Sequence, residues 1–157
     1  MATLQLSSMD ARLTYLALQY HLARPGSELD PETRQPAEHG LGEVAVALEP
    51  QLSLAVATIE LQGPQHERLG SAIAGAINEL KAYALLDEGR RTTVPSFHET
   101  LRRLFPQVAD DPDEASQLAG HLLALRRRIE RSAVDNAAPG SQPSSGSRWR
   151  FWERDRR

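Results

Sequence analysis

The stretch PQHERLGSAIAGAINELKAYALL, residues 64–86, decides the fold. Its apolar side chains recur every three to four residues, which is the spacing of one face of an α-helix. Those positions are Leu69, Ile73, Ala76, Leu80 and Ala84. Small residues four apart, such as Gly70 and Ala74, allow a second helix to approach closely. We therefore expect a long bundle helix that pairs antiparallel with a helix at 112–133, and helix 64–86 also offers a possible homodimer contact.

Further helix signals lie on both sides of this segment. Capping motifs satisfy the free N–H groups of a first helical turn, and three such starts occur. They are Ser7–Asp10, Ser96–Glu99 and Asp111–Pro112. The helices that they predict cover about 9–23, 96–105 and 112–133. Short helices joined by proline-containing loops predict an all-α domain, a small four- to five-helix bundle.

Residues 37–62 allow two interpretations. Apolar residues recur at helical spacing throughout, yet 44–48 and 52–56 also alternate as the residues of strands do. A turn at Pro50 would join those strands into a hairpin at about 43–61, which gives an α+β fold as the alternative. The long span at helical period favours a helix, kinked or broken near Pro50 because proline interrupts a helix interior.

The composition predicts the nature of the core and of the charge. Only three Phe, three Tyr and two Trp are present, so the core is expected to be aliphatic. The net charge of −3 is divided unevenly along the chain. Residues 148–157 hold five Arg and two acidic residues, which gives a net charge of +3. The remainder holds 13 basic and 19 acidic residues, which gives −6. An acidic body argues against nucleic-acid binding by the body itself.

Other compositional features bear on location. The chain has no cysteine, so disulfides and thiolate metal sites are excluded. Its start lacks the basic and apolar regions of a signal peptide, and no stretch reaches the ~18–20 apolar residues of a membrane span. We therefore expect a cytoplasmic protein. One Lys against 17 Arg is typical of a GC-rich, bacterial genome.

We divide the chain into a helical domain, 1–134, a Pro/Gly/Ser-rich flexible linker, 135–147, and a tail peptide, 148–157. Disorder is expected from about residue 135 onward. Both tryptophans lie in the tail, although a domain normally places its largest apolar side chains in the core. The predicted partner-binding residues are Arg148, Trp149, Arg150, Phe151, Trp152, Arg154, Arg156 and Arg157.

The tail has several conceivable targets. Trp and Arg dominate interface energetics, which favours docking onto a protein partner or larger assembly. Basic residues also favour an anionic membrane, but Glu153 and Asp155 weaken that attraction. Nucleic acid is the least favoured target. The remaining alternatives are that the tail binds the acidic face of its own domain, that it folds back into a groove of the bundle, or that it is a nonfunctional remnant.

Candidate catalytic and metal-binding residues are weak. No Glu-x-x-His pair or nucleotide-binding loop occurs, and His39 with Glu43 is interrupted by glycines. We expect His98 in solvent on a first helical turn and His121 hydrogen-bonded at the core boundary. Arg126–Arg128 is expected to be a solvated helix end that pairs with Glu130. The sequence predicts no metal, no cofactor and no catalytic residue.

Three hypotheses for function follow. The preferred one is a non-enzymatic helical interaction or adaptor protein, docked onto a larger assembly by its Arg/Trp tail. The alternative is a peripheral membrane or nucleic-acid-associated regulator that uses the cationic tail. The third is a helical-bundle enzyme or ligand carrier, which requires an enclosed pocket lined by His or carboxylates.

Overall fold

The fold combines six helices with one small sheet in a computed structural model that describes residues 1–29, 40–85 and 94–137. The elements are β1 (Ala2–Ser7), α1 (Ser8–Leu22), α2 (Gly42–Leu48), a 3-10 turn (Glu49–Gln51), β2 (Val56–Leu61), α3 (Gly63–Leu85), α4 (Pro95–Leu104), α5 (Pro106–Asp110) and α6 (Pro112–Ala137). The predicted mainly helical fold is confirmed. The two-stranded sheet was not predicted.

The helix that periodicity predicts at 64–86 is α3, and it packs against α6, its predicted partner, and against α1. Its apolar positions Leu69, Ile73 and Leu80 are completely buried. Its small residues also serve packing within the chain: a Cβ built on Gly75 would collide with the ring of Tyr20 on α1. Apart from Pro64, the exposed side chains described on α3 are polar: Glu67, Arg68, Ser71, Asn78 and Lys81.

Residues 42–61 form neither of the two predicted arrangements. The helix ends at Leu48, and the 3-10 turn carries Pro50. The chain then enters β2, which pairs antiparallel with β1 from Ala2 opposite Leu61 to Ser7 opposite Val56. A helix continuing beyond Pro50 is therefore wrong, and so is a hairpin at 43–61. The strand pairs instead with the N-terminal segment, because residues 42–48, which would supply the other strand of the hairpin, form helix α2.

The sheet presents one apolar face to the helices. Leu4 and Leu6 of β1, with Ala57, Ile59 and Leu61 of β2, are buried. The outer edge of β2 is covered by a side chain, because the Gln51 amide accepts from the Thr58 N–H at 2.9 Å and donates to the Thr58 carbonyl at 3.1 Å.

Two of the predicted helix starts are confirmed. Ser7 is the N-cap of α1: its Oγ accepts from the Asp10 N–H at 3.2 Å and donates to the Asp10 carboxylate at 2.8 Å. At α6, Asp111 Oδ1 accepts from the N–H of Asp113 at 2.9 Å. Side-chain oxygens therefore satisfy first-turn N–H groups where the sequence indicates.

The third start is wrong by two residues. Helix α4 begins at Pro95, and its N-cap Val94 makes no side-chain capping bond. The N–H groups of Phe97 and His98 donate instead to the Val94 carbonyl. Proline governs this start because its fixed φ suits the first helical position, and Ser96 falls inside the helix.

This register also moves His98 from the predicted solvent position into the interior, where it is 6% exposed. Its ring lies 5.2 Å from that of Tyr83 and 5.6 Å from that of Phe97, and Nε2 lies 3.5 Å from Oε1 of Glu79. The expected solvent position of His98 is therefore wrong. The core is mostly aliphatic, as composition predicts, and its buried aromatic side chains among the described residues are Tyr15, Tyr83, Phe97 and Phe105.

Helix α6 is longer than predicted and reaches Ala137, three residues into the segment 135–147 assigned as linker. The rest of that linker and the tail lie outside the described residues.

Candidate functional site

The eight residues predicted to bind a partner, Arg148, Trp149, Arg150, Phe151, Trp152, Arg154, Arg156 and Arg157, all lie outside the described residues. The candidate site is therefore built from the helical body. The part of its surface that the structure describes includes an acidic depression and a basic one.

The acidic cleft lies between α1 and α2 and has a volume of ≈ 740 Å³. Tyr15, Gln19 and Leu22 of α1 form one wall, and Glu43 and Val46 of α2 belong to the opposite wall. Glu28, Glu49 and Gln65 complete its polar lining. Among the described residues that line it, three carry a carboxylate and none is Lys, Arg or His.

The three carboxylates differ in the hydrogen bonds and ion pairs that they form. Glu28 accepts from the backbone N–H groups of Leu41, at 2.8 Å, and of Gly42. Glu49 lies 3.5 Å from Arg103, with both side chains about half exposed, so this pair is a weak surface interaction. Glu43 is exposed in the first turn of α2. The cleft thus presents a negative surface whose most available carboxylate is Glu43.

Exposed apolar side chains accompany these carboxylates. Val46 is 74% exposed and Leu29 is 65% exposed, and both line the cleft. Apolar side chains beside a polar rim are typical of interaction surfaces. This combination is chemically suited to a ligand that is cationic and also carries apolar groups.

A hydrogen-bonded junction fixes the rim of the cleft. The Gln65 side chain accepts from the Gln62 N–H at 2.9 Å and donates to the Gly40 carbonyl at 3.0 Å. A Cβ at Gly40 or Gly42 would collide with the Glu28 carboxylate, so glycine at both positions leaves room for it. Sequence reasoning missed Glu28 because nothing in a loop residue's local pattern indicates that it caps a helix farther along the chain.

Tyr15 and Arg103 connect the cleft to helix α4. The Arg103 guanidinium lies 5.6 Å from the centre of the Tyr15 ring, at cation–π distance. Burial raises the pKa of the Tyr15 hydroxyl, and its hydrogen bond to Glu49 raises that pKa further. Tyr15 is therefore a neutral side chain at neutral pH, with its ring forming part of the cleft wall.

The basic groove, of ≈ 510 Å³, lies between α6 and the start of α1. Three arginines, Arg127, Arg128 and Arg131, line it together with His121 and Asp10. Arg128 is hydrogen-bonded to the carboxylate of Asp10. His121 is exposed, so its expected place at the core boundary is wrong: the buried stripe of α6 runs through Leu118, Leu122, Leu125 and Ile129. The predicted pairing of Arg126 with Glu130 is confirmed, at 2.8 Å.

The described part of the chain bears on metal binding and on membrane crossing. No group of three or more His, Asp or Glu side chains within it is placed to hold a metal ion. None of its helices combines the length and the apolar character needed to cross a membrane. His39, of the weak His39–Glu43 pair, lies outside it.

Comparison with known proteins finds no matching family model, no matching curated protein and no matching solved structure. Function is therefore inferred from the residues and contacts of this chain.

Proposed function

We propose that this protein is a non-enzymatic adaptor of the cytoplasm, whose helical body carries a tail, residues 148–157, that docks it onto a larger protein assembly. One observation carries the proposal. The described body buries a continuous, mostly aliphatic core built from its helices and both strands. Both tryptophans of the chain lie instead in a ten-residue segment with five arginines. That segment has the residue types that dominate the energetics of protein interfaces.

The chemistry of the tail supports a protein target. Its indole rings each offer a large, rigid apolar surface with one hydrogen-bond donor. Its arginines can form bidentate hydrogen bonds with carboxylates of a partner. Glu153 and Asp155 add acceptors for basic groups of the same partner. A mixture of both charge signs with aromatic anchors favours a structured protein surface over a uniformly anionic one.

The body supports an adaptor role because it offers a second surface, the acidic cleft. The ten residues 138–147 reach about 35 Å when extended, so a target bound by the tail stays close to that cleft. Two linked contacts raise the effective concentration of each for the other. An adaptor of this kind joins a tail-bound assembly to whatever the body binds.

The experiment that tests the proposal compares capture of host proteins by the full chain and by the double variant Trp149→Ala/Trp152→Ala. We expect the variant to lose the specifically captured proteins while its melting temperature stays that of the wild type. The matched control is Leu54→Ala/Val56→Ala, which removes two exposed apolar side chains of the body, 49% and 56% exposed. Equal capture by all three proteins, or a large loss of stability in the tail variant, contradicts the proposal.

The basic groove favours a second candidate function, binding to an anionic surface. Arg127 and Arg131 line it on α6, the helix that leads toward the cationic tail. Basic residues near an anionic membrane contribute about 1 kcal/mol each. Vesicles of equimolar phosphatidylserine and phosphatidylcholine test this function: Arg127→Gln/Arg131→Gln should weaken binding, and vesicles of phosphatidylcholine alone should bind neither protein.

A further inference from the structure

We infer that the acidic cleft between α1 and α2 is a docking surface for residues 148–157 of the same chain. The inference rests on the proposed function, because it assigns a resting position to the tail that docks onto the partner. The cleft and the tail are complementary in charge, in apolar character and in reach.

Charge complementarity is the first argument. The tail carries +3 and the remainder of the chain carries −6. Glu28, Glu43 and Glu49 bring three of those negative charges to one cleft whose described lining has no cation. Glu28 accepts hydrogen bonds from backbone N–H groups, and Glu49 forms an ion pair with Arg103. Glu43 is therefore the carboxylate best placed to pair with an arginine of the tail.

Apolar character is the second argument. Val46 is 74% exposed and stands on the same wall of the cleft as Glu43. Leu29 and the ring of Tyr15 also line the cleft. Its volume, ≈ 740 Å³, lies within the range of about 300–1,000 Å³ typical of sites that enclose organic groups. An indole ring placed against Val46 would cover the most exposed apolar side chain of α2.

Reach is the third argument. Arg128 of α6 contacts Asp10, and Tyr15 of the cleft lies five residues farther along α1. The path from Ala137 back along α6, across to α1 and on to Tyr15 is about 30 Å, at 1.5 Å per helical residue and about 9 Å between helix axes. The ten residues 138–147 extend to about 35 Å. The tail can therefore enter the cleft of its own chain.

Docking in the cleft regulates the adaptor. The cleft and the partner compete for the same arginine and tryptophan side chains, so only the undocked fraction of the chain binds the partner. The apparent affinity for the partner is the intrinsic affinity multiplied by that undocked fraction. A cationic segment of another protein that occupies the cleft would release the tail and strengthen partner binding.

Intrinsic fluorescence tests the inference on the full chain, because both tryptophans are in the tail. The test variants are Glu43→Lys and Val46→Ser. The matched controls are Glu60→Lys and Val56→Ser, at exposed positions of β2 that do not line the cleft. We expect blue-shifted emission and restricted iodide quenching in the wild type and in both controls.

Each test variant should red-shift the emission and lower the ratio of docked to undocked tail about tenfold, as loss of one interface anchor does. High salt should act in the same direction in the wild type, since exposed charges are screened. Independence of protein concentration supports docking within one chain. Emission that turns blue only at high concentration indicates docking on a second copy and overturns the inference.

The inference also fails if the wild-type indoles are quenched as readily as those of the free peptide 148–157, or if test variants and controls behave alike. These outcomes are distinct from failure of the proposed function. Suppose that the tail is fully exposed in the wild type, yet the Trp149→Ala/Trp152→Ala variant fails to capture the proteins that the wild type captures. This pair of results contradicts the docking and leaves the adaptor function standing.

Discussion

The carboxylate of Glu28 accepts a hydrogen bond from the backbone N–H of Leu41 at 2.8 Å, thirteen residues farther along the chain. The same carboxylate bonds the N–H of Gly42, the first residue of α2. Helix α2 has no capping bond from its own N-cap side chain. Glu28 therefore caps this helix from a distance, and its negative charge lies at the positive end of the helix dipole.

Replacing Glu28 tests this distant cap. Glu28→Ala should lower the free energy of unfolding by about 0.5–2 kcal/mol, as loss of a helix cap does. Glu28→Gln should cost less because one carbonyl acceptor remains. Urea denaturation measures both, with Glu60→Ala on the exposed face of β2 as the control. A loss no greater than that of the control would show that the capping bonds contribute little.

Two glycines of α3 should respond to alanine with opposite signs. A Cβ at Gly75 would collide with the Tyr20 ring, which packs edge-on against Phe97 at 5.7 Å, so Gly75→Ala should destabilise by about 1–3 kcal/mol. Nothing lies within 4 Å of a Cβ at Gly70. Gly70→Ala should therefore stabilise by about 0.5–1 kcal/mol through helix propensity. Thermal or urea unfolding measures both; stabilisation by both substitutions would argue against the close α1–α3 contact.

Two serines that look alike in sequence should differ in their effect on stability. Ser7→Ala removes the N-cap of α1 and should cost about 1 kcal/mol. Ser96→Ala should have a much smaller effect because α4 begins at Pro95 and Ser96 is not its cap. The free energies of unfolding of the two variants provide the comparison. Equal losses would indicate that Ser96 caps α4 after all.

His21 should make stability depend on pH. Burial lowers its pKa, as do Arg24 and Arg68, and these effects outweigh the opposing influence of Glu28. Below the unfolded value of about pH 6.5, the unfolded chain binds a proton that the folded chain does not, so stability falls as pH decreases. His21→Gln should lose less stability than the wild type between about pH 7.5 and about pH 5.5. Urea denaturation at both pH values measures the difference, and identical losses would contradict the lowered pKa.

Several features of the fold could be predicted from local sequence because their causes are local. The apolar repeat in 64–86 identifies α3, since one face of a helix recurs within the segment itself. Ser7 and Asp111 identify helix starts because a cap bonds an N–H two or three residues away. The aliphatic character of the core follows from composition alone.

Other features depend on residues that are distant in sequence. β2 becomes a strand because the N-terminal residues 2–7 pair with it, and a local window contains only its ambiguous alternation. His98 is buried against Tyr83 and Glu79 of α3, although its position near a helix start predicts solvent. The acidic cleft was missed for the same reason, since Glu28, Glu43 and Glu49 are brought together by the packing of α2 against α1.

Helical periodicity and side-chain capping, both effects that act over a few residues, determined α1, α3, α4 and α6 and the starts of α1 and α6. The tertiary structure decided which segments pair, which polar side chains are buried and where carboxylates converge. The physical reason is that burial and hydrogen bonding act between neighbours in space, and Glu28 becomes the cap of α2 only once the chain has brought it beside Leu41.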